Sequence, residues 1–443
     1  MLSAFVNAFR TPDLRRKLLF VLGIIVLFRL GSMTPAPGID VGNVQECIDI
    51  ATTADSENGN LFALINVFSG GALLQLTVFA LGIMPYITAS IILQLLVVVI
   101  PRLEALKKEG QSGQAKITQY TRYLTLGLAV LQATGIVALA RSGRLFGGAC
   151  TQDLLYHPDS IPAFLLIVLV MVAGTAIIMW FGELITDRGV GNGMSIMIFT
   201  QVIATFPGAL WQIKAQAGSE REGWTTFILV ILVGLVVVAA VIFIEQAQRR
   251  IPVQYAKRMV GRKMFGGNST YIPLKVNQAG IIPVIFASSL LYLPAMAVQF
   301  NPESTNPVLD FIGTYLVGGD HPLYMLSYFL LIIFFTYFYV SITFNPVEVA
   351  DNMKKYGGFI PGIRAGKPTE DYLSYVLSRI TFPGALYLGL ISLVPLIAFA
   401  LIEASQNFPF GGTSILIMVG VALDTVKQIE SQLQQRNYEG FLK

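Results

Sequence analysis

The chain has 443 residues, 54% of them hydrophobic and only 13% charged, with a mean hydropathy of +0.66. A soluble protein of this length carries about a quarter charged residues, so the composition excludes a soluble globular class and points to a polytopic membrane protein. The net charge of +4 says little by itself; the placement of Lys and Arg says more.

The first 17 residues, MLSAFVNAFRTPDLRRK, read as an amphipathic segment on the inner membrane surface. Apolar runs follow at 18–34, 74–100, 120–140, 161–181, 193–213, 224–244, 276–298, 323–344, 375–402 and 413–427. Each comes near the roughly 20 residues that cross a bilayer, and a chain in lipid must satisfy its own backbone, so the runs predict ten helical spans. Of the 30 Lys and Arg, outside loops hold only Arg141, Arg144, Lys214 and Arg221, and the spans only Arg29, Arg122 and Arg379. All others fall on the inner side, which places both termini inside and makes the first run a retained signal anchor.

Between the first two spans lies LFALINVFSGGALLQL, residues 61–76, whose apolar part is too short to cross and is broken by Gly70 and Gly71. It reads either as a re-entrant half-helix with a flexible joint or as a short surface helix outside the membrane. The second span contains GIMPYITAS (82–90), and the seventh contains GIIPVIFAS (280–288), agreeing at six of nine positions. A second echo joins GMSIMI (193–198), which opens the fifth span, to GTSILI (412–417), which opens the tenth. The echoes occupy corresponding places in two five-span halves, 18–213 and 224–430, joined outside by 214–223 and followed by an inner tail, 431–443. Because five is odd, the second half enters from the opposite side, giving an inverted repeat whose functional path lies between the repeats. Pro85 and Pro283 are expected to bend their helices beside that path. The echoes nominate an aliphatic ring of Ile83, Ile87, Met194, Ile198, Ile285 and Ile417, although such residues are also ordinary material for a buried or lipid-facing surface.

Two inner loops, 246–275 and 345–372, are long and basic. The first carries Arg249, Arg250, Lys257, Arg258, Arg262, Lys263 and Lys275; the second contains PGIRAGKP with Arg364. Such charge enforces topology or touches anionic lipid, but the alternation with apolar residues, Pro and Gly also fits protruding hairpins suited to nucleic acid or an acidic protein surface. Cys47 and Cys150 fall in outside loops; they can pair in an oxidising compartment, yet cysteines in separate loops are more often unpaired, and the sequence leaves the pairing open. No His, Cys, Asp and Glu pattern has metal spacing, so no metal and no cofactor are expected. No phosphate loop or catalytic grouping is present, and GVGNG (189–193) links two helices rather than a strand to a helix. Glu183, Glu245 and Asp424 sit near inner span ends, where solvation or capping is expected.

Six stretches, FSGGALLQLTVFALGIMPYITASIILQLL, KKEGQSGQAKITQYTRY, GVGNGMSI, PLKVNQAGIIPVIFASS, FNPVEVADNMKKYGGFIPGIRAGKPT and FGGTSILI, closely resemble the SecY family of bacterial protein-conducting channels. The likeness runs from the first span to the last. It implies an all-α clamshell of ten helices with a pore ring at the six positions above, where the family usually has isoleucine at Met194. It implies a plug at about 61–73, carried by Leu61, Phe62, Ile65, Asn66, Phe68, Ser69, Gly70 and Gly71, and a lateral gate polar cluster of Thr88, Gln132 and Asn277. The basic loops, with Arg249, Arg250, Lys257, Arg258, Arg262, Lys263 and Arg364, correspond to the docking surface for the ribosome (protein and rRNA) and the SecA ATPase. Gln246 departs from relatives that are basic there. The resemblance further implies partners SecE and SecG, signal peptides and nascent chains as cargo, release of spans into membrane lipid, and residence in the bacterial cytoplasmic membrane. The competing reading, a secondary transporter, needs polar groups at the midplane that an aliphatic ring does not supply; a membrane-embedded enzyme has no catalytic group.

Overall fold

The computed structural model describes residues 9, 11–53, 72–73, 75–143, 145, 152–157, 160–216, 220–255, 258–260, 263–265, 269–300, 307–317, 321–402 and 412–440. In chain order the helices are α1 (Pro12–Met33), α2 (Val41–Thr53), α3 (Met84–Val99), α4 (Pro101–Lys108), α5 (Gln111–Arg141), α6 (Ile161–Arg188), α7 (Gly193–Gln216) and α8 (Glu220–Gln246). After four strands come α9 (Ile282–Phe300), α10 (Pro307–Ile312), α11 (Pro322–Thr343), α12 (Pro346–Lys355), α13 (Lys367–Ile402) and α14 (Gly412–Gly440). Among the described residues, five helices are individually long and apolar enough to span a membrane: α5, α6, α8, α11 and α13. The α3–α4 pair passes jointly but bends by 99° at Ile100, and α7 and α9 are apolar over shorter stretches. α1 is apolar after its basic start and carries Arg29 within it.

Proline is used throughout as a helix starter. Pro12, Pro85, Pro101, Pro162, Pro322 and Pro346 all occupy first-turn positions, where the missing N–H has no intrahelical partner to lose. Asn345 and His321 add side-chain caps, accepting from Val347 N at 3.2 Å and Leu323 N at 3.1 Å.

The expected second span is only partly helical. Residues 75–83 form consecutive turns, and the helix starts at Met84. The irregular backbone is held by its neighbours: Ala36 N donates to Leu76 O (3.1 Å), Val78 N to Thr34 O (3.0 Å), and Pro35 bridges Thr77. Phe79 stacks on Phe28 with ring centroids 5.7 Å apart, wedged between Gly31 of α1 and Gly174 of α6. A Cβ on Gly31 would strike the Phe79 ring, and one on Gly174 would strike the Val78 carbonyl. Leu76 takes a left-handed φ of 48°, a costly conformation that its complete burial enforces.

A cap zips two loops together. Ile39 bridges Leu155, Asp40 N donates to Leu154 O (3.0 Å), Asn43 Nδ2 to Asp153 O (2.9 Å), and Gln152 Nε2 to Glu46 Oε2 (2.7 Å). Cys47 lies fully buried beneath it and is disulfide-bonded, which decides for this residue what the sequence leaves open; the chain's other cysteine, Cys150, lies outside the described residues.

β1 (Gln248–Tyr255) and β4 (Ser269–Lys275) form an antiparallel hairpin with register Gln248↔Lys275 through Gln254↔Ser269, and β2 (Arg258–Val260) pairs β3 (Lys263–Phe265). The second basic loop is not a separate hairpin: its β5 (Gly358–Phe359) joins the free edge of β1, giving the order β4-β1-β5. Ile251, Val253 and Leu274 of the hairpin bury against Met353, Ile360, Leu373 and Val376, so both loops share one core. α14 continues well past the expected tenth run, taking in most of the expected tail, and its Ile429 packs with Leu14 and Val190. Much of the N-terminal surface segment lies outside the described residues, and Leu14 is buried in protein.

The Phe79 wedge makes Gly174 a sensitive position. Gly174→Ala is expected to destabilise the folded protein by about 1–3 kcal/mol through overpacking against backbone. Gly23→Ala on α1, where nothing lies within 4 Å of the new methyl, is expected to be neutral or slightly stabilising. Thermal unfolding of the two purified variants in one detergent measures the difference.

Candidate functional site

The two sequence echoes fold alike, and the fold explains the repeated glycine and proline. Gly82 and Gly280 both take left-handed φ values, 55° and 63°, ending the preceding turn. Two residues later α3 and α9 begin, at Met84 and Ile282, with Pro85 and Pro283 as the second helical residues. The first-turn bonds correspond as well: Ile87 N to Ile83 O (3.1 Å) and Ile285 N to Ile281 O (3.3 Å). The expected proline bends are therefore absent. These prolines start helices within the apolar interior instead of kinking longer ones.

The second echo behaves the same way, since α7 and α14 begin at the matching glycines, Gly193 and Gly412. Asn192 caps α7 through Oδ1, accepting from Met194 N (3.1 Å) and Ser195 N (3.4 Å). Thr186 Oγ1 donates to Gly182 O and accepts from Gly193 N, both at 2.9 Å. A Cβ on Gly193 would strike the Gly182 carbonyl, and one on Gly182 would strike the Met194 thioether. These contacts seat Met194 against α6.

Four helix starts thus bring the six nominated side chains together. Ile83, Ile87, Ile198, Ile285 and Ile417 are buried members of one continuous apolar cluster, and the half-buried Met194 packs on it. The six nominated side chains themselves offer no hydrogen bonds to a water file.

The three residues assigned to the lateral gate, Thr88, Gln132 and Asn277, are all buried, and α9 touches α3. None of the three hydrogen-bonds another. Thr88 Oγ1 donates back to Met84 O (3.0 Å), while Asn277 Nδ2 donates to Glu245 Oε1 (2.5 Å) and to Gly280 O (3.1 Å). Glu245 is consequently no solvated span-end charge: it is 8% exposed and bonded to an asparagine 2% exposed. Glu183 also departs from expectation, accepting a two-pronged pair of bonds from Arg122 at 2.7 and 2.8 Å across α5 and α6. Asp424 matches the solvated expectation better, sitting 3.7 Å from Lys275 Nζ with both side chains well exposed.

The described basic residues are divided among the shared sheet, the separate β2–β3 pair and a turn. Arg249 and Arg250 are exposed on β1, and the Arg250 guanidinium lies 4.9 Å from the Tyr271 ring centre. Arg258 and Lys263 occupy β2 and β3, whereas Lys257 and Arg262 lie outside the described residues. Arg364 is exposed in a turn between Gly362 (φ 85°) and Gly366 (φ 107°), its carbonyl accepting from Thr369 Oγ1 at 2.8 Å. All eight plug residues, Leu61, Phe62, Ile65, Asn66, Phe68, Ser69, Gly70 and Gly71, lie outside the described residues. Among the described residues, no group of three or more His, Cys, Asp or Glu is placed to hold a metal ion.

Sequence reasoning missed the Glu245–Asn277 bond. No spacing signal pointed to it: the strand register, extended, sets Asn277 opposite Gln246, and the bond reaches one residue further back along α8.

Comparison with known proteins gives concordant matches. The SecY family model matches residues 77–426. Relatives described as protein translocase subunit SecY include one from Streptomyces galbus, 67% identical over 443 residues, and one from Mycobacterium bovis, 59% identical over 451, each alignment covering 100% of both chains. Among solved structures, a chain described as a protein-conducting channel aligns with a TM-score of 0.62 at 19% identity, covering 94% of this chain and 91% of that one. Sec61 from a canine ribosome-channel complex aligns with a TM-score of 0.59 at 18% identity and the same coverage. At such identities these structures establish the fold alone.

Proposed function

The chain belongs to the SecY family, and from that premise we propose how its residues conduct a polypeptide. It is a non-enzymatic, multi-pass membrane subunit of the protein translocase and acts as a protein-conducting channel. The finer reading is that ten spans form two inverted five-helix halves, 18–213 and 224–430, closing as a clamshell with the plug at about 61–73. The six aliphatic side chains form the constriction of the pore between them. In a bacterial cytoplasmic membrane, with both termini inside, the basic sheet meets SecA or the ribosome, SecE and SecG brace the channel, and α9 parts from α3 to release spans into lipid.

One observation carries this reading. Residues from four corresponding helix starts, two in each half, converge in a single apolar cluster. A secondary transporter needs polar groups there to hold solute and ion. An aliphatic ring instead excludes water at rest and yields around side chains of different sizes. Met194, held on Gly182 and flexible along its own length, makes one sector of the ring compliant.

Replacing Ile87, Ile198 and Ile417 together by Asn is expected to wet the constriction, raising resting conductance in planar bilayers and exporting a reporter with a defective signal sequence. Replacement by Leu leaves the barrier nearly intact. Tight, signal-strict behaviour of the Asn variant would remove these residues from the constriction.

Arg364 supports docking by position, as an exposed cation in a turn fixed by two left-handed glycines and one side-chain bond. Arg364→Glu is expected to block SecA-driven translocation while the protein still inserts, because a like-charge contact at a complementary interface costs several kcal/mol. Unchanged SecA-dependent transport in vesicles would take Arg364 out of that surface.

A further inference from the structure

We infer that Glu245 is a positioning residue for the gate: its carboxylate holds Asn277 at the root of the inner hairpin and thereby sets how readily α9 parts from α3. The inference rests on the gate reading above.

A carboxamide has two N–H donors, and Asn277 uses its Nδ2 on Glu245 Oε1 and Gly280 O, so no donor remains for Thr88 or Gln132. Asn277 Oδ1 is buried without a partner. The closed position of Asn277 is therefore fixed from behind, by α8, rather than from across the gate. Both groups are buried, so each depends on the other for its hydrogen bond.

Topology then joins this bond to the docking surface. β1 leaves α8 directly after Ala247, and Val276 N donates to Ala247 O at 3.0 Å, continuing the Gln248↔Lys275 pairing toward the membrane. Lys275 N donates to Gln278 Oε1 at 3.2 Å. On the far side, Gly384 of α13 presses against the Val276 carbonyl, with Asn277 Cα 3.7 Å from where a Cβ would stand. One turn along α13, the buried hydroxyl of Tyr387 has no partner. The start of α9 is thus gripped between α8 and α13 by one side-chain bond and close backbone packing. A partner that displaces the hairpin acts on this grip first.

The test is a double-mutant cycle read as the fraction of graded, marginally hydrophobic test segments that leave for lipid, in membranes holding equal amounts of each full-length variant. Glu245→Ala and Asn277→Ala are each expected to raise the inserted-to-translocated ratio roughly threefold, the size of one hydrogen bond within a membrane. The double variant should show no further rise. The conservative variant Glu245→Gln, which keeps an acceptor oxygen for Asn277 Nδ2 and leaves the Gly280 bond untouched, should return the ratio to near the parent's. Unchanged ratios in both alanine variants would sink the gate reading together with the inference. A response at Asn277 alone, additive effects, or a Glu245→Gln ratio as high as that of Glu245→Ala would overturn the role of Glu245 and leave the gate reading standing.

Discussion

Inside lipid every backbone N–H and C=O has to find a partner within the protein, and most of this architecture follows from how that demand is met where helices are interrupted. Helices that begin inside an apolar interior leave first-turn donors unsatisfied. The chain removes one of them with proline at the second helical position of α3 and α9. It satisfies others with Asn192 and Thr186 ahead of α7. The turns before α3 are supplied by Thr34 and Ala36. Because these starts are interior, the side chains at them are interior too, and the aliphatic cluster is their direct consequence.

The same economy couples the sheet to the spans. β5 closes on β1, so two loops distant in sequence form one sheet over one core, and the sheet's root is the segment that becomes α9. The β1–β4 hairpin runs directly into the backbone that carries Glu245 and Asn277. Elsewhere, the bonds around Asp40 and Asn43 hold the start of α2 against residues 153–155.

Composition and apolar runs were enough to read the helical class and the membrane, because crossing lipid demands long apolar segments. The short echoes also nominated six residues that lie in or against one apolar cluster. What escaped was local. GIMP and GIIP look like kinked helices to a reader who sees proline inside an apolar run; only the left-handed φ of Gly82 and Gly280 reveals them as boundaries. The partner of Asn277 escaped because resemblance placed it across a gate, while its side chain turns back to Glu245 of α8. The Arg122–Glu183 pair joins residues 61 apart on different helices, which no spacing rule could find.

The central claim is that a polypeptide passes through the aliphatic ring. A photocrosslinking amino acid placed singly at Ile87, Ile198 or Ile417, with Leu235 on the exposed face of α8 as the control, tests this against a secretory chain stalled during export. The account predicts adducts to the stalled chain from all three ring positions, dependent on stalling, and none from Leu235. Ring positions that stay silent while the chain is demonstrably engaged would contradict it.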